Sequence, residues 1–114
     1  MAQQGIFTLP ANINFGATVL VNSGATQTVT VSVDGVVKAT FTGVGTTDKN
    51  LGTQVINSGK GTVTVAVTAN GKASDLVSSQ LILANKLNTA IVGSEDWTDA
   101  DYNDSIAILN WPLG

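Results

Sequence analysis

Two runs of alternating valine and threonine, each turned by a residue-glycine pair, restrict this chain to β-structure. Val29, Val31 and Val33 alternate with Thr28, Thr30 and Ser32; Asp34-Gly35 follows, and Val36-Val37-Lys38-Ala39-Thr40-Phe41 returns. Thr62-Val63-Thr64-Val65-Ala66-Val67-Thr68 alternates in the same way and ends at Asn70-Gly71. Branching at Cβ stiffens χ1, which suits a pleated strand better than a helix. Asp-Gly and Asn-Gly accept positive φ at both central positions, as a type I′ hairpin turn requires. A period of two therefore predicts the valines in the core and the threonines toward water.

Further strands are expected over Ile6 to Leu9, Thr18 to Asn22, Leu51 to Ile56, Leu76 to Leu83, Thr89 to Val92 and Ser105 to Trp111. Turn signals fall at Asn22-Ser23-Gly24, Gly43 to Asn50 and Asn57-Ser58-Gly59. Ser78 to Lys86 reads as either a short helix or, through Gln80-Leu81-Ile82-Leu83, a buried strand. The spacing predicts an all-β fold: a single domain over residues 1–114, an antiparallel β-sandwich of about nine strands with Greek-key or jelly-roll character.

Composition removes several chemistries. There is no Cys, His or Arg, so a Cys/His zinc site, a thiol nucleophile and a Ser-His-Asp triad are all excluded. Five Lys against eight carboxylates give a net charge of −3 and no basic face for nucleic acid. No apolar run approaches the roughly 20 residues of a membrane span, so no membrane insertion is expected. Met1-Ala2-Gln3-Gln4-Gly5 carries no basic segment leading into an apolar one. With no signal peptide visible, a cytoplasmic location is expected, with export to the cell surface or outside as the alternative.

The chemistry concentrates in one segment. Glu95, Asp96, Asp99, Asp101 and Asp104 are five of the eight carboxylates, and they lie within ten residues that contain no Lys. Packed together, such groups repel and raise one another's pKa. A hard divalent cation relieves that repulsion; Ca²⁺ takes 6–8 oxygen ligands, and Asn103 adds a neutral oxygen within the run. The plainer reading is a solvated acidic turn, as most charge runs are, but gaps of one to three residues between acids suit a looped cradle better. An EF-hand does not fit: with Asp99, Asp101 and Asn103 at its first, third and fifth positions, Asp104 and Asn110 stand where Gly and Glu are needed. A carboxylate-dependent glycosidase is the competing sharp reading, although five clustered acids favour a metal over one tuned pair. A calcium-stabilised structural sandwich without ligand is the third.

Val92-Gly93-Ser94-Glu95-Asp96, Thr98-Asp99, Asp101-Tyr102-Asn103-Asp104 and the ending Asn110-Trp111-Pro112-Leu113-Gly114 closely resemble the bacterial calcium-dependent fucose/mannose-binding lectins, the family typified by the Pseudomonas fucose lectin. Phe7-Thr8-Leu9-Pro10-Ala11-Asn12 and Ser74-Asp75-Leu76-Val77-Ser78 fit as well, so the likeness runs nearly the length of the chain. It implies a lectin rather than an enzyme, binding fucose and more weakly mannose-like sugars through two adjacent Ca²⁺ ions per subunit. By position Glu95, Asp99, Asp101 and Asp104 would ligate the first ion, and Asn22, Asp101, Asn103 and Asp104 the second. The terminal carboxylate of Gly114 would reach a partner subunit's site, making a homodimer through the C-terminus and from it a homotetramer. Sugar hydroxyls would complete both coordination shells, and Asp96 would accept hydrogen bonds from them. Such a site is nearly neutral when loaded and strongly self-repelling when empty. Fucosylated or mannosylated glycans are the partners this implies.

Two positions depart from the family pattern. The specificity loop corresponds to Ser23-Gly24-Ala25; a hydroxyl at its first position goes with fucose, whereas Gly24 lacks a serine hydroxyl that some members carry. Trp97 stands where the family usually has Gly; if φ is positive there, a bulky residue is strained by about 1–2 kcal/mol. Trp97 is expected at the pocket rim, either stacking on a sugar or obstructing one.

Overall fold

A computed structural model of the chain describes residues 3–96 and 100–114. Every regular element among them is a β-strand, and every pairing is antiparallel. The strands are β1 (Ile6–Thr8), β2 (Asn14–Val33), β3 (Val36–Asn57), β4 (Thr62–Ala69), β5 (Lys72–Ala73), β6 (Asp75–Leu83), β7 (Leu87–Glu95) and β8 (Ser105–Trp111).

The two longest strands organise the rest. The C-terminal half of β2 pairs with β4 and with the start of β3, and β4 continues to β1 and β5. Its N-terminal half pairs with the end of β3 and with β8, which continues through β7 to β6. One curled sheet thus forms both layers around a shared core, with β2 and β3 passing from one layer to the other. Phe15, Val19, Val29, Val65, Leu109 and Trp111 fill that core. The predicted alternation holds: Val29, Val31, Val33, Val63, Val65 and Val67 are all buried.

Both predicted hairpin turns form with the required backbone. Asp34 and Gly35 have φ of 52° and 83°, and Asn70 and Gly71 have φ of 49° and 84°.

Two expectations need correction. Asn22-Ser23-Gly24 and Gly43 to Asn50 do not end strands; they are irregular stretches inside β2 and β3, so four expected strands are two. Between the pairs Ser23–Gly45 and Gln27–Gly43, β2 advances four residues while β3 advances two. The surplus bulges outward and turns the ladder from one layer into the other, a bend that bulges supply without breaking a strand. Residues Gln80 to Leu83 form strand rather than helix, but they are exposed, not buried. β6 is the outer strand of its layer, and among the described residues none covers Gln80 to Leu83.

Candidate functional site

The β7–β8 ladder ends at the pair Ser94–Ser105. Glu95 and Asp104 follow directly, one on each strand, at the mouth of the loop that joins them. The Ser94 hydroxyl accepts from the Ser105 amide at 3.0 Å, and the Asp104 amide donates to the Ser94 carbonyl at 3.0 Å. These bonds fix both carboxylates to the rigid end of the sheet.

The loop then closes on its own acids. One oxygen of Glu95 accepts from the amides of Asp101 and Tyr102, each at 3.1 Å. Asp104 Oδ2 accepts from the Asp96 amide at 2.8 Å. This curl needs left-handed backbone at Ala100 (φ 58°) and Tyr102 (φ 56°). Non-glycine residues adopt that region at a cost, and such residues cluster at functional sites.

The result is a compact anionic centre. Carboxylate oxygens of Glu95, Asp101 and Asp104 lie within 4.8 Å of one another, with Glu95 and Asp104 only 2% and 5% exposed. Burial, opposed by the Asp96 amide hydrogen bond and reinforced by the nearby charges of Asp96 and Glu95, pushes the Asp104 carboxyl up to about 6. Acids held this close, two of them buried and Asp101 open to solvent, suit a hard cation, which takes carboxylate oxygens and removes the repulsion.

The second contributor is the bulge of β2. The Asn22 amide donates to the Asp104 carbonyl at 2.9 Å, which sets the start of the Ser23-Gly24-Ala25 segment beside the acidic loop. The Asn22 side chain points elsewhere: it accepts from the Asp48 amide at 2.6 Å and donates to Asp48 Oδ1 at 3.1 Å. Ser23 is buried, its hydroxyl accepting from the Ala25 amide at 3.0 Å. A side chain added at Gly24 would meet nothing within 4 Å.

Of the residues singled out in the sequence, the structure thus gathers Glu95, Asp96, Asp101, Asn103, Asp104, Asn22 and the Ser23–Ala25 segment around one loop. Gly114 is not among them. It follows the far end of β8, which at the usual strand rise is about 20 Å from Asp104. Trp97 and Asp99 lie outside the described residues. Two contributors were not foreseen. Asp48 reaches Asn22 only through the tertiary fold. Gln27 had a signal: it falls two positions before Val29 on the core face of β2, where a polar side chain is out of place.

Gly93 shapes the floor of this site. A Cβ there would run into the Tyr102 carbonyl oxygen. Gly93→Ala is expected to push the loop outward and cost about 1–3 kcal/mol, read as a lower thermal midpoint; an unchanged midpoint would show that the loop yields freely.

A comparison with characterised protein sequences finds no significant match. Residues 7–113 match the model of one family, fucose-binding lectin II (PA-IIL). The chain belongs to the fucose-binding lectin II family. Solved structures agree. The Chromobacterium violaceum lectin CV2L, solved with α-methyl-fucoside, is 73% identical with a TM-score of 0.98, over 99% of this chain and all of that one. The Ralstonia solanacearum high-affinity mannose-binding lectin is 68% identical with a TM-score of 0.97, over 99% and 100%. The C-terminal domain of the Burkholderia cenocepacia lectin BC2L-C is 47% identical with a TM-score of 0.92, over the whole of both chains. This lectin is accordingly a fucose/mannose-type sugar-binding protein and not an enzyme. No helix among the described residues is long and apolar enough to cross a membrane.

Proposed function

We propose that the whole chain, residues 1–114, is one lectin domain that binds fucose, and more weakly mannose-like sugars, through two Ca²⁺ ions seated in the acidic loop. The observation that carries this is the meeting of Glu95, Asp101 and Asp104 within 4.8 Å at the closed end of the β7–β8 ladder. Glu95, Asp101 and Asp104, with Asp99 from its place in the motif, supply the ligands of one ion. Asp101, Asn103, Asp104 and Asn22 supply those of the other. The Asn22 side chain is engaged with Asp48, so its main-chain carbonyl is the oxygen on offer. Calcium held by these residues would supply coordination to sugar hydroxyls, since such an ion takes more oxygens than the side chains alone offer.

The chain's own groups then select among sugars. Ser23, accepting from the Ala25 amide, keeps its hydroxyl hydrogen for a sugar oxygen. Asp96 accepts from sugar hydroxyls, and Gly24 and Ala25 leave the rim low. Isothermal titration with α-methyl-fucoside at millimolar calcium should give binding that vanishes when the metal is stripped with EDTA. Full affinity retained in excess chelator would refute the reading.

The lectin is also proposed to act as a homodimer that pairs into a tetramer, with Gly114 completing the site of the partner subunit. Its distance from its own chain's acidic loop favours a role in trans. The outward face of the β6–β7–β8 layer is apolar, with Val77, Leu81, Leu83 and Ile91 exposed. A depression of about 570 Å³ on that face runs from Val77, Ile91 and Ile106 to Asp101 and Tyr102. A second copy would bury it next to the sugar site, and several weak sites would then act together on a glycan surface. Sedimentation of the intact lectin should report a dimer or larger, and Ile91→Glu should shift it toward monomer. A wild-type monomer at micromolar concentration would remove this part of the reading.

A further inference from the structure

We propose that Gln27 is a positioning residue for sugar selectivity, tying the Ser23–Ala25 bulge to Ser105, the first residue of β8 and the neighbour of Asp104. This rests on the reading that the bulge discriminates between sugars held by a common metal centre. Gln27 lies on the core face of β2, fully buried, among the alternating valines. A buried amide costs stability unless its donors and acceptor are met. Here its carbonyl oxygen accepts from the Ser105 hydroxyl at 2.8 Å, and its amide nitrogen donates to the Ala25 carbonyl at 3.2 Å. One side chain thus joins the middle of the bulge to β8.

The anchor points are consecutive. The bulge begins at Asn22, whose amide is bonded to the Asp104 carbonyl, and ends at Gln27, whose side chain is bonded to Ser105. Main-chain pairing between β2 and β8 stops at Val21–Ser105. Beyond it these two bonds tie the bulge directly to the acidic loop and to β8. Asn70 grips the bulge from the opposite side, accepting from the Thr26 amide through Oδ1 at 3.0 Å and donating its own amide to the Thr26 carbonyl at 2.8 Å. That contact holds the bulge to the β4–β5 turn and not to the binding loop. Gln27 is therefore a side chain that helps set where Ser23 and Ala25 stand relative to Asp104. A sugar coordinated by the metal centre has its position fixed there, so a bulge displaced by a few tenths of an ångström changes the contacts that differ between sugars and spares those they share.

Gln27→Met keeps the volume and removes both hydrogen bonds. The fucose-to-mannose affinity ratio in calcium is expected to change by about threefold or more, the equivalent of one ordinary hydrogen bond, with calcium affinity held within about twofold. In the calcium-free protein the Ala25 amide should exchange with solvent about tenfold faster, since its turn loses the support of the Ala25 carbonyl bond. If Gln27→Met does not fold, Ser105→Ala cuts the bridge to β8 and carries the same expectations. An unchanged ratio with unchanged Ala25 exchange overturns the proposal. So does an equal loss for both sugars that follows a loss of calcium affinity, because that is what a merely structural role would give. Ser23→Ala tests the underlying reading by itself: if its ratio is also unchanged, the bulge does not select sugars, whereas the exchange arm still reports whether Gln27 holds it.

Discussion

Asp104→Asn is expected to lower calcium affinity by about a hundredfold or more, because ligand charge sets the strength of such sites, and to abolish fucoside binding at millimolar calcium. Asp104 is, with Asp101, a proposed ligand common to both ions; unlike Asp101 it is buried, and it stands at the fixed end of β8. Asn preserves the shape and one acceptor for the Asp96 amide, so the loop has no steric reason to open. What it removes is the charge that the cation needs. The same change acts in the opposite direction on the empty protein. There Asp104 is a desolvated anion beside Glu95 and Asp96, held protonated up to about pH 6 by that environment. A neutral amide relieves the repulsion, so the calcium-free variant should melt no lower than the calcium-free wild type at pH 7.5.

The two signs together make the test sharp. A variant that is merely damaged loses stability with and without metal. A variant that lacks a ligand loses only the increment that calcium confers, which for a ligand at a hundred times its Kd is about 2.7 kcal/mol. Calcium titration by calorimetry, paired with thermal melts in each state, separates the outcomes. Calcium affinity within threefold of wild type would remove Asp104 from the ligand set.

Much of this architecture is legible in the sequence, for identifiable reasons. The Asp34-Gly35 and Asn70-Gly71 turns demand a backbone that few residues other than Gly, Asn and Asp adopt, so their geometry follows from identity. The Val/Thr alternation names the buried face because a strand has only two. The same rule is silent about what covers the other face, which is why Gln80 to Leu83 reads as buried and lies exposed. Asn22-Ser23-Gly24 illustrates a different limit. Small polar residues permit a turn and a bulge equally, and the choice is made by β3, which pairs with β2 on both sides of it, and by β8, which pairs with β2 up to Val21. The acids of the loop announce themselves by density. Their mutual placement does not, since it depends on left-handed backbone at Ala100 and Tyr102, residue types that carry no signal for it. Asp48 and Gln27 act on the site across 26 residues from Asn22 and 78 from Ser105, so only the folded ladder reveals them.

Calcium should stabilise the lectin strongly at pH 7.5 and hardly at all near pH 4, with the change centred close to pH 6. The sign follows from the direction of the Asp104 shift. Its carboxyl is raised in the folded, calcium-free protein, by burial first and by the charges of Asp96 and Glu95 next. A raised folded-state pKa means the folded state holds its proton more tightly than the unfolded chain. The stability from this group is complete below the unfolded value and is lost as pH rises through about 6. Calcium acts on the deprotonated form, so it restores stability in the range where the empty protein has lost it. Below pH 6 the proton competes, and apparent calcium affinity should fall by about tenfold per pH unit for one obligatory deprotonation. Thermal melts from pH 4 to 8, with calcium and with metal-stripped protein, measure the gap directly. In Asp104→Asn the residual gap, however small, should lose this inflection. A wild-type gap as wide at pH 5 as at pH 7.5 would mean that Asp104 holds no proton the metal must displace in that range, and would overturn the raised carboxyl on which this pH dependence rests.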